Sequence, residues 1–305
     1  MRSPIKIFFI ILLLNLDIAN AAKKEVALTF DDAPIGSSQH FDSNSRTEEL
    51  IKKLKALEVP AVMIFANACR KKDFTSVITQ LKKYREAGHL IENHTCSHLR
   101  LDDVGFTEFT KDILHGDELL SPLHTGQKFF RYPYLNEGND TKLRDQTREW
   151  LKTNHFKNAL VSIDDNDYIF SLKMNEAKRK KKKIDYKKVQ ELFIKHIISA
   201  AQFNDNLAIK TIGRSPKHVL LLHEMDATVM FLDSLVNELR LKGWTIISAE
   251  EAFKDSIYSE TPKNTYSGNG IIAQLAFEKT GEKIGHNFDE TNNELNRILD
   301  LENKK

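Results

Sequence analysis

Short apolar, β-rich runs alternate along this chain with longer stretches in which apolar residues recur every three or four positions. Residues 26–30, 61–66, 90–93, 128–131, 159–163, 219–222 and 245–248 read as buried strands. Helical patterns fall between them at 47–57, 76–87, 107–120, 141–153, 186–203 and 229–242. Leu50, Ile51, Leu54 and Leu57 show the helical spacing, as do Leu232, Leu235, Val236 and Leu239. Gly88 and Gly243 stand where helix C-termini favour glycine. Strand–helix alternation repeated about seven times predicts an α/β protein with a parallel sheet, open or closed into a barrel. Three segments break the rhythm: a polar loop at 34–45, a polar stretch at 171–188, and everything from Ser259 onward.

Composition changes this picture little. The chain has 305 residues, 45 Lys+Arg against 43 Asp+Glu and a formal net charge of +2, so no whole-molecule field pulls it toward nucleic acid. With 41% apolar and 29% charged residues, both intrinsic disorder and a polytopic membrane protein are excluded. Two cysteines are too few for a disulfide scaffold or a cysteine-based zinc module.

The N-terminus adds more. Arg2 and Lys6 precede a short apolar run, and Ala19-Asn20-Ala21 supplies the small residues of a cleavage site. The run is shorter than the roughly 20 residues that span a bilayer. The expected organisation is a signal peptide at 1–21, a catalytic domain at 22–258 and a helical C-terminal extension at 259–305. The mature protein is expected to be secreted or periplasmic, with no transmembrane segment.

Polar residues stand at the C-terminal end of nearly every predicted strand. Asp31 and Asp32 follow the first, His94 and His98 the third, Arg131 the fourth, Asp164, Asp165 and Asp167 the fifth, and His223 the sixth. In parallel α/β folds that rim is where active sites are built, so five segments are expected to converge on one place. His94 and His98 are four residues apart and could share one face of a turn. Two histidines, one carboxylate and an open position make a catalytic zinc arrangement, and the Asp31-Asp32 pair is the nearest source of the carboxylate. Adjacent carboxylates at a strand end diverge, which suits one to a metal and the other to proton transfer.

Thr29-Phe30-Asp31-Asp32, His94-x-x-x-His98, Arg131-Tyr132-Pro133-Tyr134, Asp164-x-x-Asp167-Tyr168 and Leu221-Leu222-His223 resemble the five motifs of NodB-type polysaccharide deacetylases, carbohydrate esterase family 4. They occur in the family's order. The resemblance implies a distorted (β/α)7-type barrel and hydrolysis of N-acetyl groups on an acetylated glycan, with release of acetate. It implies Zn2+, or another divalent transition metal such as Co2+, held by Asp32, His94 and His98. Asp31 would be the general base, Arg131 its ion-pair partner, His223 the general acid, and Asp167, in preference to Asp164, the residue that fixes the tautomer of His223. The Tyr134 backbone N–H would stabilise the oxyanion, and Tyr168 would wall the site where the family usually has Trp. An O-acetyl esterase on the same scaffold, or a carbohydrate-binding protein without turnover, are the rival readings.

Leu135 stands where the family commonly has Gly, and the span from Asp167 to His223 is lengthened by the lysine-rich run at 178–183. That run is expected to be a solvated surface. Cys69 follows the second strand and Cys96 the third; neighbouring strand ends in an oxidising compartment would let them form a disulfide.

Overall fold

The computed structural model describes residues 23–70 and 73–301; the expected signal peptide lies outside the described residues. Seven strands, β1 (Lys24–Ala33), β2 (Met63–Ala66), β3 (Leu90–Asn93), β4 (Lys128–Phe130), β5 (Phe156–Asn158), β6 (Lys217–His223) and β7 (Trp244–Ile247), all pair in parallel. Their order is β5-β4-β3-β2-β1-β6. β6 runs along β1 from Glu25 to Asp31 on one edge. The other edge is shared: β7 takes Lys24 to Ala27 and β2 takes Thr29 to Ala33.

The sheet curls until it nearly closes. Beyond β5, Ala159 N–H donates to Phe130 (2.7 Å), and the Ser162 and Ile163 N–H groups donate to the Val219 carbonyl (3.2 and 3.0 Å). Ile163 then forms a single parallel bridge with Leu220. A strand was expected at 159–163; the strand proper lies just before it, and 159–163 is the seam that joins β5 to β6. The fold is the expected distorted (β/α)7-type barrel.

Side-chain alternation on β1 explains where the core and the site lie. Val26, Leu28 and Phe30 face outward into the main cluster with Leu50, Leu54, Leu81, Leu232 and Leu235 from the surrounding helices. Ala27 faces inward to Met63, Phe65, Phe129 and Val219. The same alternation turns Thr29 and Asp31 toward the inside.

The helices are α1 (Ser43–Ala56), α2 (Phe74–Glu86), α3 (Leu101–Leu120), α4 (Thr141–Thr153), α5 (Tyr168–Arg179), α6 (Tyr186–Ile212), α7 (Asp226–Leu241), α8 (Ala249–Ala252), α9 (Gly270–Thr280) and α10 (Asp289–Ile298). Asp42, Asp73, Asp140 and Asp185 cap the first turns of α1, α2, α4 and α6 with side-chain hydrogen bonds. Two expectations are corrected here. The first half of the polar stretch at 171–188 is helix α5, because Phe170, Met174 and Ala177 bury one helical face that the surrounding charges obscure. α6 runs nine residues past the expected end at Phe203, to Ile212, and ends at Gly213 in the left-handed conformation.

The segment beyond Ser259 is knitted to the barrel. Ile271 and Ile272 of α9 are fully buried in the inner cluster. Gly270 permits this approach: it has φ +79°, and a Cβ there would lie 2.5 Å from the Val161 carbonyl oxygen. Gly270→Ala should therefore destabilise the fold by about 2 kcal/mol or more and lower the melting temperature by several degrees. Gly268→Ala, with open space around it, should leave thermal unfolding unchanged.

Candidate active site

β1 brings two carboxylates to one rim because its pairing is irregular between Phe30 and Ala33, and Asp32 sits in the left-handed region at φ 70°. A bulge of this kind re-aims a side chain that would otherwise point to the opposite face. Asp31 pairs in register with His223 of β6. Arg131, just past β4, is fully buried. Its Nη1 donates to Asp31 Oδ1 (2.6 Å) and Thr29 Oγ1 (2.8 Å), and its Nε donates to the Ala159 carbonyl (3.1 Å). The guanidinium lies 3.9 Å from the Phe65 ring centroid. Oδ1 of Asp31 is thus pinned, while Oδ2 faces the site, 3.7 Å from His94 Nε2.

Asp32, His94 and His98 come together as expected. Their ligand atoms lie within 4.8 Å of one another. Asp32 Oδ1 is 3.7 Å from His94 Nε2 and 3.1 Å from His98 Nε2, yet is buried without a hydrogen bond. His94 Nδ1 is 2.8 Å from the Arg131 carbonyl oxygen, which makes it the donor and leaves the Nε2 lone pair free. Burial lowers the pKa of both histidines, His98 to about 3, so both imidazoles are neutral at pH 7. Burial would raise Asp32, but nearby positive charge, that of His223 first and of Arg70 with it, reverses this and holds its carboxyl well below the usual range. One carboxylate and two neutral imidazoles around an unsatisfied buried oxygen fit a divalent transition metal.

The opposite wall is His223. Its Nδ1 is 2.6 Å from Asp167 Oδ1, while its backbone N–H and the Thr228 hydroxyl donate to Asp167 Oδ2 (2.9 and 2.6 Å). Burial acts to lower the His223 pKa, but Asp167, with Asp32 and Asp31 behind it, raises it to about 10. His223 is therefore an imidazolium at neutral pH, with Nε2–H free to donate. Asp164 and Asp165 do not take the Asp167 position. Burial raises Asp164 to about 6, and Asp165 accepts from the Asp167 N–H (2.9 Å). The Tyr168 ring stands edge-on to His223 with centroids 5.2 Å apart, and the exposed Tyr134 ring lies 4.6 Å from that of His98.

Left-handed residues other than glycine cluster here: Asp32, Thr95, His98, Tyr134, Leu135 and Asn166. Hydrogen bonds hold them, such as Asn93 Oδ1 with Thr95 N–H and Thr95 Oγ1 with His98 N–H. Leu135 adopts φ 50°, a conformation glycine would take without cost.

Over residues 19–150 the chain matches the sequence profile of the family described as polysaccharide deacetylase. Over that span the chain resembles this polysaccharide deacetylase family. It is 26% identical over 241 residues to a peptidoglycan-N-acetylglucosamine deacetylase of Bacillus cereus, which spans 77% of this chain and 70% of the relative. Solved deacetylase-family structures share the fold. The polysaccharide deacetylase Bc1974 from Bacillus cereus superposes with TM-score 0.51 at 20% identity, covering 72% of this chain and 89% of that one. BA3943, a CE4 family pseudoenzyme from Bacillus anthracis, gives 0.53 at 16% identity, covering 75% and 65%.

Several residues that support this site have no signal in any motif. Arg70 places Nη1 2.7 Å from Asp32 Oδ2, and the expected Cys69–Cys96 disulfide, with Cα atoms 4.8 Å apart, joins its segment to the turn between the two histidines. Glu224 is buried and accepts from Ile35 N–H, the Thr47 hydroxyl and the Tyr84 hydroxyl (2.8, 2.6 and 2.6 Å). Arg46 binds Asp226 and the carbonyls of Ile35 and Gly36. Together they fix the polar loop after β1.

Asp167→Asn should shift the titration of His223. In wild-type protein stripped of divalent ions, its imidazole signals should stay those of the protonated ring well above neutrality. In the variant they should titrate near or below the ordinary value of about 6.5. NMR of the ring protons checks this, and an unchanged titration would contradict the role given to Asp167.

Proposed function

We propose that this protein is an exported, zinc-dependent deacetylase that hydrolyses N-acetyl groups on an acetylated glycan. The observation that carries the reading is the opposed placement of Asp31, pinned by Arg131, and His223, charged by Asp167, on either side of Asp32, His94 and His98. These three would hold the ion, whose chemistry when bound is Lewis acidity toward the acetyl carbonyl and the attacking water. Asp31 accepts the proton of the attacking water at Oδ2, the oxygen that Arg131 leaves free. The backbone N–H of Tyr134 donates to the developing oxyanion. His223 gives its Nε2 proton to the leaving amine, and Asp167 keeps the ring oriented for that transfer. Tyr168 packs beside the acid and helps to exclude water.

A glycan-binding protein without turnover fits less well. Binding alone needs neither a buried base held by a buried arginine nor a histidine kept charged, and such groups are costly to bury. Export is supported by the N-terminal sequence and by the cell-wall substrate in the name of the Bacillus cereus relative. Among the described residues no helix is long and apolar enough to cross a membrane.

Asp31→Asn should lower acetate release by about a thousandfold or more while the protein still binds one equivalent of metal. His94→Ala should lose metal and activity together. Metal analysis beside an acetate assay separates the two, and an active Asp31→Asn variant would remove Asp31 as the base.

A further inference from the structure

The run from Lys178 to Lys183, with Lys187 and Lys188, places eight basic residues and a single acid, Asp185, within positions 178–188. The whole chain carries a formal charge of only +2, so outside this stretch it is net negative. The backbone of the stretch is fixed at both ends. At the close of α5 the Lys181 N–H donates to the Lys178 carbonyl (3.0 Å) and the Lys182 N–H to the Ala177 carbonyl (2.9 Å). Lys181 takes φ 54° there, at a place in a helix end that commonly goes to glycine. Ile184 packs against the main core cluster, and Asp185 caps α6. The cations are therefore presented on an ordered turn.

Local electrostatics do not account for this charge. The C-terminus of α5 favours cations, which covers Lys178 and Arg179. The first turn of α6 disfavours them, yet Lys187 and Lys188 stand there with no acid in that turn. Lys180 pairs with Glu176 and Lys182 with Asp300. Lys178, Arg179, Lys181 and Lys183 are exposed and make no ion pair among the described residues.

The turn lies at the active-site end of the barrel. Asn175 of α5 accepts from the Gln39 N–H (2.8 Å) and donates to Asp226 Oδ2 (2.7 Å), and the Tyr186 hydroxyl is 3.1 Å from His40 Nε2. These contacts tie it to the loop that follows Asp31 and Asp32 and to the start of α7, just beyond His223. Two large apolar side chains are exposed beside the cations. Leu172, 53% exposed, shares a face of α5 with Arg179 two turns on, and both border one groove beside the β1 loop. Tyr186, 38% exposed, opens α6. Lysine charge with an apolar and an aromatic side chain set among it suits the surface of an anionic bilayer. Seven of the eight cations are lysines, compact point charges, whereas a site built for one phosphate favours the bidentate fork of arginine. A soluble polyanion would meet the charge but gain nothing from Leu172.

We propose that residues 178–188, with Leu172, form a docking face for bilayers that contain anionic phospholipid. Because this face adjoins the rim that carries Asp31, Asp32 and His223, a bound bilayer would hold the catalytic end of the barrel beside its headgroups. Docking is independent of the deacetylase chemistry.

Vesicle sedimentation of the mature chain from Ala22 tests this. Vesicles of phosphatidylcholine alone are compared with vesicles in which about one lipid in three is phosphatidylglycerol. The protein should sediment with the anionic vesicles and not with the neutral ones, and high salt should release it. The Lys178→Gln/Arg179→Gln/Lys181→Gln/Lys183→Gln variant should lower the partition coefficient by about a hundredfold or more. Lys55→Gln/Lys82→Gln/Lys111→Gln/Lys152→Gln, which removes as much charge from other helices, should leave it within about twofold. Leu172→Ser should lower it severalfold with thermal unfolding unchanged, yet bind long-chain polyphosphate as the wild type does. No binding to anionic vesicles, equal binding to neutral ones, or equal losses in the two quadruple variants would overturn the proposal. Vesicle binding indifferent to Leu172→Ser would also overturn it, and would assign the patch to a soluble polyanion.

Discussion

The site depends on one buried ion pair. Arg131 reaches Asp31 with its guanidinium, while its own carbonyl oxygen accepts from His94 Nδ1. One residue therefore orients both the free oxygen of one carboxylate and the free lone pair of one imidazole. Burying an arginine is expensive unless its donors are satisfied. Here Thr29, Asp31 and Ala159 take Nη1 and Nε and Phe65 covers the guanidinium face, while Nη2 is buried without a hydrogen bond. Those partners come from β1, β2 and the seam between β5 and β6, so the pair forms only when the barrel has closed. The chemistry is thereby made conditional on the fold.

Around this pair the protein separates its titratable groups. Burial holds His94 and His98 neutral, whereas Asp167 keeps His223 charged despite its burial. The same side chain is thus neutral on one wall and charged on the other, and the difference lies in the neighbours. Opposed shifts of this kind are how one cleft supplies a base and an acid at the same pH. The left-handed backbone at Asp32, His98 and Tyr134 belongs to the same economy, since it aims side chains at a common point that regular strands and helices would not reach.

Much of this was legible in the sequence because strand ends are local features. Asp31, Asp32, His94, His98, Arg131 and His223 each follow an apolar run, and a parallel sheet brings such ends together. The choice of Asp167 over Asp164 also agrees with the hydrogen bonds to His223. What escaped was of two kinds. α5 was hidden because its buried face of Phe170, Met174 and Ala177 is interrupted by Lys173 and Glu176 and leads straight into the lysine-rich run. Arg70 and Glu224 were hidden because neither belongs to a periodic pattern or a motif. They meet their partners through loop contacts made by distant parts of the chain.

The central claim is that Asp32, His94 and His98 hold a metal on which deacetylation depends. The most direct test is acetate release from an N-acetylated glycan by the purified protein before chelation, after chelation, and after Zn2+ is restored. The account predicts activity that is lost with the metal and regained with it. Acetate release that ignores the chelator, or none from any acetylated glycan with zinc supplied, would contradict it.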